Sequence, residues 1–479
     1  MATLNGEVNG ELKDTLVVGQ TSQGTEVHAT LLRLTRYLAV FEVYNPGFVL
    51  RASEVLTDFK IVINDRTVYA GRAVISNLLN AGTVLVCEAT LGDSWVDPDM
   101  FLPADSRKGI RAGFGEFLQE WQKIYRVRPE FKVIVADMQT FLTDLRLWLE
   151  QVELGIRSSP SGDRLSMEHE IATELGQSTS PALSSLFEKF ENTAQSVEKD
   201  LQSVHQTFGR RQLHPLLLCS PFLYRSYSKP LGYAGDYEMI DMIMRDPFEG
   251  GSLYAKIVNL WFLQQPPAEA HRNRIQYLTQ NIIDVAARAA RSGRMARVLS
   301  LGCGPAHEVQ KFLRESHLAD LVQFTLVDFN AETLSHAQTT LEELKRKHQR
   351  SAPVKVVKKS VNQILKDSGK VIGRSADDQY DFVYCAGLYD YLADPVCRRL
   401  TSILYEWVAP GGLLITTNVD NSNPRRLTMD YIMEWHLIYR SGAELEALRP
   451  NAAPADCCGI KSDTTGVNTY FEARKPSHA

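Results

Sequence analysis

From residue 296 onward, short apolar strands alternate with amphipathic helices, and this alternation restricts the fold more than any other feature of the 479-residue chain. Such a pattern predicts a doubly wound parallel sheet with helices on both faces. The predicted strands cover residues 297–301, 323–328, 354–358, 380–386 and 412–418, and the predicted helices cover residues 306–317, 331–348 and 395–408. Ligands of these sheets bind beyond the carboxyl ends of the strands, so a site is expected there.

A turn with two glycines follows the first predicted strand. Gly302 and Gly304 permit a tight bend and let a ligand lie against bare backbone. The third glycine of a dinucleotide fingerprint would fall at position 307, which is His307, so a pyrophosphate is poorly accommodated. The second strand ends in Asp328, a position from which a carboxylate can accept hydrogen bonds from both hydroxyls of a ribose. These features favour a nucleoside ligand and argue against a nicotinamide dinucleotide.

Two further features belong to the same C-terminal region. A Pro-Gly-Gly turn at residues 410–412 leads into the fifth strand. Two short strand-like segments at residues 457–462 and 468–473, separated by the turn residues 463–466, predict a terminal antiparallel pair.

Together, the glycine turn, the acid after the second strand and the terminal pair resemble the class I S-adenosylmethionine-dependent methyltransferases over about residues 270–479. The resemblance implies S-adenosyl-L-methionine as cofactor, with Gly302 and Gly304 under its methionine and ribose, Asp328 on the ribose hydroxyls and Phe329 beside the adenine. The other implied cofactor-binding residues are Cys303, Pro305, Ser360, Val361, Cys385, Ala386 and Gly387. The family commonly has an acid where this chain has Ser300, so the methionine amino group must be recognised from elsewhere.

A narrower resemblance rests on four segments, residues 229–237, 302–308, 384–392 and 434–440. They are similar to a bacterial group named after the synthase of 3-hydroxypalmitic acid methyl ester, a secreted signalling molecule. This resemblance implies methyl transfer to the carboxylate of a hydroxy fatty acid. A protein or other O- or N-methyltransferase, and a non-catalytic sensor of a nucleotide or of S-adenosylmethionine, are alternatives that the sequence leaves open.

Candidate catalytic residues lie in two places. The loop after the fourth strand contains Tyr389 and Asp390, in a region where this fold commonly presents groups to the substrate. A helix is predicted over Met429–Arg440, on which His436 and Arg440 are four residues apart and would share a face. Such a pair could hold an anion beside a base. The alternatives are a surface pair for the two helical residues and a helix cap for Asp390.

An aromatic segment at residues 220–238 precedes the methyltransferase region and shows little periodicity. It predicts either packing beneath a loop or a lid that keeps the methyl site dry, because binding residues concentrate on loops held by a rigid scaffold. The candidate lid and substrate-binding residues are Tyr224, Tyr233, Asp236, Tyr237, Tyr391 and Tyr439.

The N-terminal part of the chain differs in composition and pattern from the C-terminal region. Residues 1–24 are polar and predict a flexible leader. Short β-branched runs at residues 27–31, 37–41, 59–63 and 83–87, separated by turn compositions, predict a small antiparallel barrel over residues 25–104. The barrel resembles the PilZ type, which binds cyclic di-GMP in bacteria. Arg33 and Arg36 are one residue too close for the arginine motif of that family. Docking or dimerisation is therefore favoured over cyclic di-GMP binding.

Apolar residues at helical spacing predict a helical region over residues 105–214, with a linker near residues 158–164. The apolar positions are Phe114, Phe117, Leu118, Trp121, Phe141, Leu142, Leu145, Trp148, Leu183, Leu186, Phe187, Phe190 and Leu201. A lid or helical cap follows over residues 215–280. A predicted helix Arg272–Ala290 leads into the methyltransferase domain, which covers residues 281–479. The predicted architecture is thus a small β-barrel, a helical middle region and a C-terminal α/β doubly wound, Rossmann-like domain.

Composition narrows the function classes. The net charge of −5 and the lack of a polybasic run argue against nucleic acid or an anionic membrane as partner. The seven cysteines form no metal-binding or disulfide spacing, so no metal is expected. There is no secretory signal and no apolar run long enough for a membrane span, which predicts a cytoplasmic protein. The expected partner is a small-molecule methyl acceptor, and a homodimer through the barrel or the helices is left open.

Overall fold

The computed structural model describes residues 15–35, 37–44, 49–63, 66–80, 84–92, 126–158, 164–368 and 379–477. The chain forms two compact units, neither of which is one continuous stretch. Unit 1 comprises residues 1–234, 246–264 and 424–436, and unit 2 comprises residues 235–245, 265–423 and 437–479.

Unit 1 begins with a closed six-stranded antiparallel barrel in the order β1-β2-β3-β6-β5-β4. Its strands are β1 Thr15–Gln20, β2 Glu26–Leu34, β3 Leu38–Tyr44, β4 Val55–Ile63, β5 Arg66–Asn80 and β6 Val84–Leu91. Buried and partly exposed residues alternate along β3, as expected where one face lines a core. Closure gives every strand two neighbours, so no edge is left unpaired. The predicted barrel is confirmed.

Two strands of the barrel were missed in the sequence. Residues 15–20 form β1, so the predicted leader is wrong for this part; residues 1–14 lie outside the described residues. β5 covers the stretch between two predicted turns, where Gly71 and several polar side chains weaken the strand signal. Pairing with β4 stabilises both strands, although the sequence of each gives only a weak strand signal. Arg36 and residues 45–47, one of the turn compositions between the predicted strands, lie outside the described residues.

The helices of unit 1 are α1 Pro129–Arg157, α2 Arg164–Gln195, α3 Gln202–Leu217, α4 Pro221–Ser228, α6 Leu253–Leu263 and α12 Arg426–Ile432, while α5 Tyr237–Met244 belongs to unit 2. The predicted helical region is confirmed for residues 129–157 and 164–217, with a break after Gln195. Trp148 does not join the buried face of α1 as predicted, since it is 54% exposed. The first predicted apolar face, from Phe114 to Trp121, and most of the predicted linker lie outside the described residues.

The aromatic segment is more regular than its composition indicates. Ser220 accepts a hydrogen bond from the backbone N–H of Leu223 and so caps α4, whose first residue is Pro221. Proline is favoured at this position because the first N–H of a helix has no partner within the helix. The predicted irregular loop is therefore wrong for residues 221–228.

Unit 2 contains a seven-stranded sheet in the order β12-β13-β11-β10-β7-β8-β9. The strands are β7 Ala296–Leu301, β8 Val322–Asp328, β9 Val354–Lys358, β10 Tyr380–Cys385, β11 Val408–Val419, β12 Cys458–Ser462 and β13 Asn468–Arg474. The first five are mutually parallel, and β13 pairs antiparallel with both β11 and β12. The doubly wound sheet and the terminal antiparallel pair are confirmed.

The helices that cover this sheet are α7 Pro266–Arg291, α8 His307–Glu315, α9 Ala331–His348, α10 Val361–Ser368, α11 Asp394–Glu406 and α13 Gly442–Glu446. Buried apolar residues of α7, α8 and α9 form one core with β7, β8, β10 and β11. The strand order reverses between β10 and β7, which places the switch point of the sheet at the turn that follows β7.

Candidate functional site

The turn after β7 has the conformation that the two glycines predict. Gly302 and Gly304 have φ values of +68° and +52°, in the left-handed region that favours glycine. The backbone N–H groups of Gly302 and Cys303 both donate to the carbonyl oxygen of Val327, at 2.8 and 3.1 Å. A Cβ atom on Gly304 would meet no atom within 4 Å. The turn is therefore held firmly from the β8 side and is open on the side that a side chain would occupy.

Asp328 closes β8 directly beside this turn. One carboxylate oxygen accepts the N–H of Gly304 at 3.3 Å, and the other accepts the N–H of Asn330 at 3.0 Å. The residue is 7% exposed. The predicted neighbours, the glycine turn and the acid, are thus in direct contact.

The remaining predicted cofactor residues follow the carboxyl ends of β9 and β10. The N–H of Lys359, just after β9, donates to the backbone oxygen of Asp328 at 2.9 Å, which brings Ser360 and Val361 to the same edge. Gly387 follows β10 with φ +86°, and its N–H donates to the hydroxyl of Thr417 at 3.0 Å. Cys385, Ala386 and Gly387 therefore come at the end of the strand next to β7, while Phe329 directly follows Asp328.

Cys303 and Cys385 are structural thiols rather than nucleophiles. Both side chains are buried, and burial raises the pKa of each thiol well above its ordinary value. A thiol with a raised pKa carries little thiolate near neutral pH. Pro305 is held through its backbone oxygen, which accepts the side-chain amide of Gln310 at 2.7 Å.

Arg440 is a structural clamp, and this corrects its predicted role as an anion holder. Its guanidinium donates to the backbone oxygens of Tyr389 and Leu392 and to the side chains of Asn418 and Asp394, at 2.6 to 2.9 Å. The residue is 2% exposed. All five N–H groups are used, so none is left for a substrate.

The loop after β10 is likewise fixed by internal hydrogen bonds. Tyr389 is fully buried, and its hydroxyl bonds to that of Thr401 at 2.8 Å, so this ring packs in the core instead of facing a substrate as predicted. Asp390 does not cap a helix: its carboxylate accepts the N–H of Val419 at 2.6 Å. Burial raises the pKa of Asp390, while the backbone hydrogen bond and the charges of Arg274 and Arg440 counteract the rise. Tyr391 and Tyr439 lie in the same unit, both partly buried.

The predicted helix Met429–Arg440 is wrong. Helix α12 ends at Ile432, and Glu434 has φ +50°, a left-handed conformation that stops a helix. His436 and Arg440 therefore share no helical face. His436 belongs to unit 1, where its N–H donates to the hydroxyl of Ser53 at 2.5 Å and its Nδ1 lies 3.3 Å from Asp430. Its Nε2 is buried and has no hydrogen-bond partner among the described residues.

Glu434 lies in a buried cationic cluster of unit 1, formed with Arg72, Arg210 and Lys229. Its carboxylate is 2.6 Å from Arg72 and 3.1 Å from Arg210, and Nζ of Lys229 donates to the carbonyl of Met433 at 3.0 Å. Burial by itself raises the pKa of Glu434, but the charges of Arg210, Arg72 and Lys229 outweigh it and lower the pKa to about 2. Burial lowers the pKa of Lys229 to about 7.

Two of the predicted lid residues lie in unit 1 and are held there. The guanidinium of Arg51 lies 5.2 Å from the centre of the Tyr233 ring, and the backbone oxygen of Gly232 accepts the N–H of Val55 at 2.8 Å. The segment before Tyr233 thus pairs with the start of β4. Tyr224, on α4, is 59% exposed.

The other two lid residues belong to unit 2, at the start of α5. Asp236 is buried and caps this helix by accepting the N–H of Met239 at 3.0 Å. The Tyr237 ring stacks on His336 at 4.5 Å, and both His336 and His307 lie within 2.8 Å of the carboxylate of Asp241. Because His307 and His336 belong to α8 and α9, which follow β7 and β8, helix α5 is fastened beside the glycine turn and Asp328.

Three further residues at this edge were not found in the sequence. The Glu308 carboxylate accepts the hydroxyl of Tyr384 at 2.7 Å, and burial raises the pKa of Glu308. Arg274 and His271 lie on α7, with the guanidinium against Gly387. Their isolated positions in a helix carry no motif, and only the fold brings them to the carboxyl edge of the sheet.

Residues 270–451 match the family model of a methyltransferase domain, which is less than half of the chain. The matched segment contains strands β7 to β11 together with the glycine turn and Asp328. No curated protein gives a significant match.

Solved structures with a similar fold include two methyltransferases. Magnesium protoporphyrin IX methyltransferase from Synechocystis PCC 6803, with bound S-adenosylhomocysteine, is 11% identical, covers 56% of this chain and 99% of its own, and has a TM-score of 0.33. The N-methyltransferase NodS from Bradyrhizobium japonicum WM9, in complex with S-adenosylhomocysteine, is 15% identical, covers 50% of this chain and 98% of its own, and has a TM-score of 0.30. Likenesses this weak do not establish an activity or a substrate.

Within the described ranges, no group of three or more histidines, cysteines or acidic residues could hold a metal ion. Nor does any described helix combine the length and the apolar character that crossing a bilayer requires.

Proposed function

We propose that the chain transfers the methyl group of S-adenosylmethionine to a small-molecule acceptor, and that the acceptor is the carboxylate of a hydroxy fatty acid. The observation that carries the proposed binding site is the contact between Asp328 and the open glycine turn. A buried carboxylate, 3.3 Å from a backbone N–H of a turn that no side chain fills, suits a ribose diol lying across bare backbone.

The residues at this edge suit the rest of the cofactor. Gly302, Gly304 and Gly387 present backbone without side chains to the methionine part, and the segment Ser360–Val361 lies after the strand next to Asp328. Phe329 and Pro305 would flank the adenine and the turn. When bound, S-adenosylmethionine supplies a methyl group on a positively charged sulfur. The glycine turn has room for the cofactor, because a Cβ on Gly304 would project into free space and not into packed side chains.

The chemistry that this chain must add is modest if the acceptor is a carboxylate. Such a nucleophile is already ionised near neutral pH and needs no general base. It needs a cation to hold it and a pocket from which water is excluded, and correct orientation alone can remove about 7–11 kcal/mol of a barrier. Tyr237, Asp236 and α5 would exclude water on the β7–β8 side, and Tyr391 and Tyr439 of the same unit remain proposed substrate contacts.

The N-terminal barrel has a separate proposed role. Its six closed strands are consistent with the PilZ resemblance, and we propose docking or homodimerisation for it, not cyclic di-GMP binding. The Arg33 motif that the ligand would require is one residue short. Titration with cyclic di-GMP tests this, because binding at micromolar concentration would contradict it.

Substitution of Asp328 tests the proposed site. The Asp328→Asn variant keeps the shape and removes the charge that accepts the ribose hydroxyls. Hydrogen bonds to charged groups contribute about 1.5–3 kcal/mol each, so S-adenosylhomocysteine should bind about 100-fold more weakly in isothermal titration. Asp284→Asn, an exposed acid on α7, is the matched control and should bind as the wild type does.

Turnover is measured with 3-hydroxypalmitate as methyl acceptor, by release of S-adenosylhomocysteine. Product that co-migrates with the methyl ester supports the fatty-acid acceptor. Cofactor binding without turnover on acids, amines or phenols would contradict the transferase and favour the sensor. Wild-type affinity in Asp328→Asn would contradict the proposed cofactor site.

A further inference from the structure

The carboxyl edge of the unit 2 sheet carries a guanidinium with an unusual environment. Arg274 lies on α7, where its Nη2 is 2.6 Å from Nδ1 of His271, one turn earlier. The same guanidinium lies against Gly387, just after β10. A Cβ atom at position 387 would come within 3.1 Å of Nη2 and 3.3 Å of Nη1. The cation therefore occupies space that is free because residue 387 has no side chain, next to the switch point.

Most N–H groups of this guanidinium have no partner in the part of the chain that the structure describes. Arginine has five N–H donors and keeps its charge in proteins. Among the described residues, His271 accepts the one hydrogen bond that Arg274 makes, and no carboxylate forms an ion pair with it. Arg440, in the same unit, uses all five donors and pairs with Asp394. The contrast marks Arg440 as structural and Arg274 as available to a ligand.

His271 orients the guanidinium without adding charge. Burial, and then the positive charge of Arg274, lower the pKa of His271 well below its ordinary value, so the ring is neutral near pH 7. Since Nδ1 accepts from Arg274, the ring proton lies on Nε2. A neutral acceptor fixes the guanidinium without forming an ion pair with it, and the carboxyl groups of Asp390 and Glu308 interact with Arg274 only electrostatically.

The chemistry of the fork indicates the ligand. A planar guanidinium with unused parallel N–H groups matches a carboxylate, which it binds through two hydrogen bonds. We propose that Arg274, positioned by His271 and by the lack of a side chain at Gly387, is the carboxylate receptor of the methyltransferase unit. Two reactants of the proposed function, on which this inference rests, offer a carboxylate: the methionine part of the cofactor and the fatty acid.

The test compares Arg274→Met with Arg291→Met. Both remove a cation from α7, but Arg291 is exposed in the last turn, far along the helix from Gly387. Isothermal titration with S-adenosylhomocysteine, which has the methionine carboxylate, is set against titration with 5′-methylthioadenosine, which lacks it. If the carboxylate that Arg274 binds is that of the cofactor, Arg274→Met should bind S-adenosylhomocysteine about 10- to 100-fold more weakly and 5′-methylthioadenosine as tightly as the wild type does. Arg291→Met should match the wild type with both.

If the acceptor is the source, Arg274→Met binds S-adenosylhomocysteine normally, and 3-hydroxypalmitate binds that complex about 10- to 100-fold more weakly, while the methyl ester is unaffected. Arg274→Lys keeps the charge without the fork and should recover only part of the loss. The proposal is overturned if Arg274→Met matches Arg291→Met with every compound while its thermal midpoint stays at the wild-type value. A wild type that fails to bind S-adenosylhomocysteine would instead overturn the proposed function, so the two failures are distinguishable.

Discussion

Removal of the charge on Glu434 should destabilise unit 1 more than the removal of a carboxylate charge usually destabilises a protein. In Glu434→Gln, Arg72, whose side chain is 32% exposed, and the buried Arg210 would lose the carboxylate that lies 2.6 and 3.1 Å away. Breaking a buried pair by removing one partner is costly because the other charge stays buried without compensation. Replacement by glutamine keeps the volume, so the measured loss reports charge and not a cavity.

The magnitude follows from the pKa. Glu434 has its pKa lowered from 4.5 to about 2, and each pKa unit corresponds to about 1.36 kcal/mol. The folded state therefore gains about 3 kcal/mol at pH 7 from this carboxylate, in line with the roughly 3–5 kcal/mol measured when buried pairs are broken. Because the folded pKa is the lower one, this stability is fully present above pH 4.5 and is lost as the pH falls towards 2.

Urea unfolding followed by circular dichroism at pH 7 and at pH 3.5 measures both quantities. The difference between wild type and Glu434→Gln should be about 3 kcal/mol at pH 7 and about 2 kcal/mol at pH 3.5. Glu150→Gln is the matched control: its carboxylate is half exposed and 3.8 Å from Arg146, so its loss should cost less than about 1 kcal/mol. Equal losses in the two variants, or a Glu434 difference that does not shrink at low pH, would refute the reasoning.

Two other outcomes are expected in unit 1. Burial lowers the pKa of Lys229 from 10.5 to about 7, so between these pH values the folded chain binds fewer protons than the unfolded chain. The free energy of unfolding should therefore rise by about 2 kcal/mol from pH 7 to pH 9. In urea unfolding, Lys229→Met should abolish this rise, and a rise that persists would point to another group. His436→Ala should leave S-adenosylhomocysteine binding unchanged, because His436 contacts Ser53 and Asp430 in unit 1, whereas Asp328 and the glycine turn belong to unit 2; weaker binding in isothermal titration would contradict this.

The sequence predicted best where the local pattern and the fold agree. The strands β7 to β11 and the turn at Gly302 and Gly304 could be identified because parallel strands are continuous apolar runs and the glycines have few alternative roles. β1 could not be found, since its six residues become a strand through pairing with β2 and β4. Helix periodicity extended α12 too far, because the left-handed backbone of Glu434 is stabilised by its ion pairs and not by any local signal.

The candidate site, too, could be predicted from the sequence only in part. The glycines and Asp328 come at the ends of two successive strands, and their contact was predictable from strand order. The different roles of Arg440, which is structural, and Arg274, which is available to a ligand, were not predictable, because both are single arginines among helical or apolar residues. What separates them is how many of their N–H groups other parts of the chain use, and that depends on residues far away in the sequence.

The chain passes from one unit to the other five times, and this bears on how the protein is made. A ribosome synthesises the barrel with Arg72 and helix α3 with Arg210 early, but their counter-ion is residue 434. By then strands β7 to β11 have already emerged. Unit 1 therefore cannot complete its folding before most of unit 2 exists, and the nascent chain must carry two uncompensated arginines through more than two hundred residues of translation.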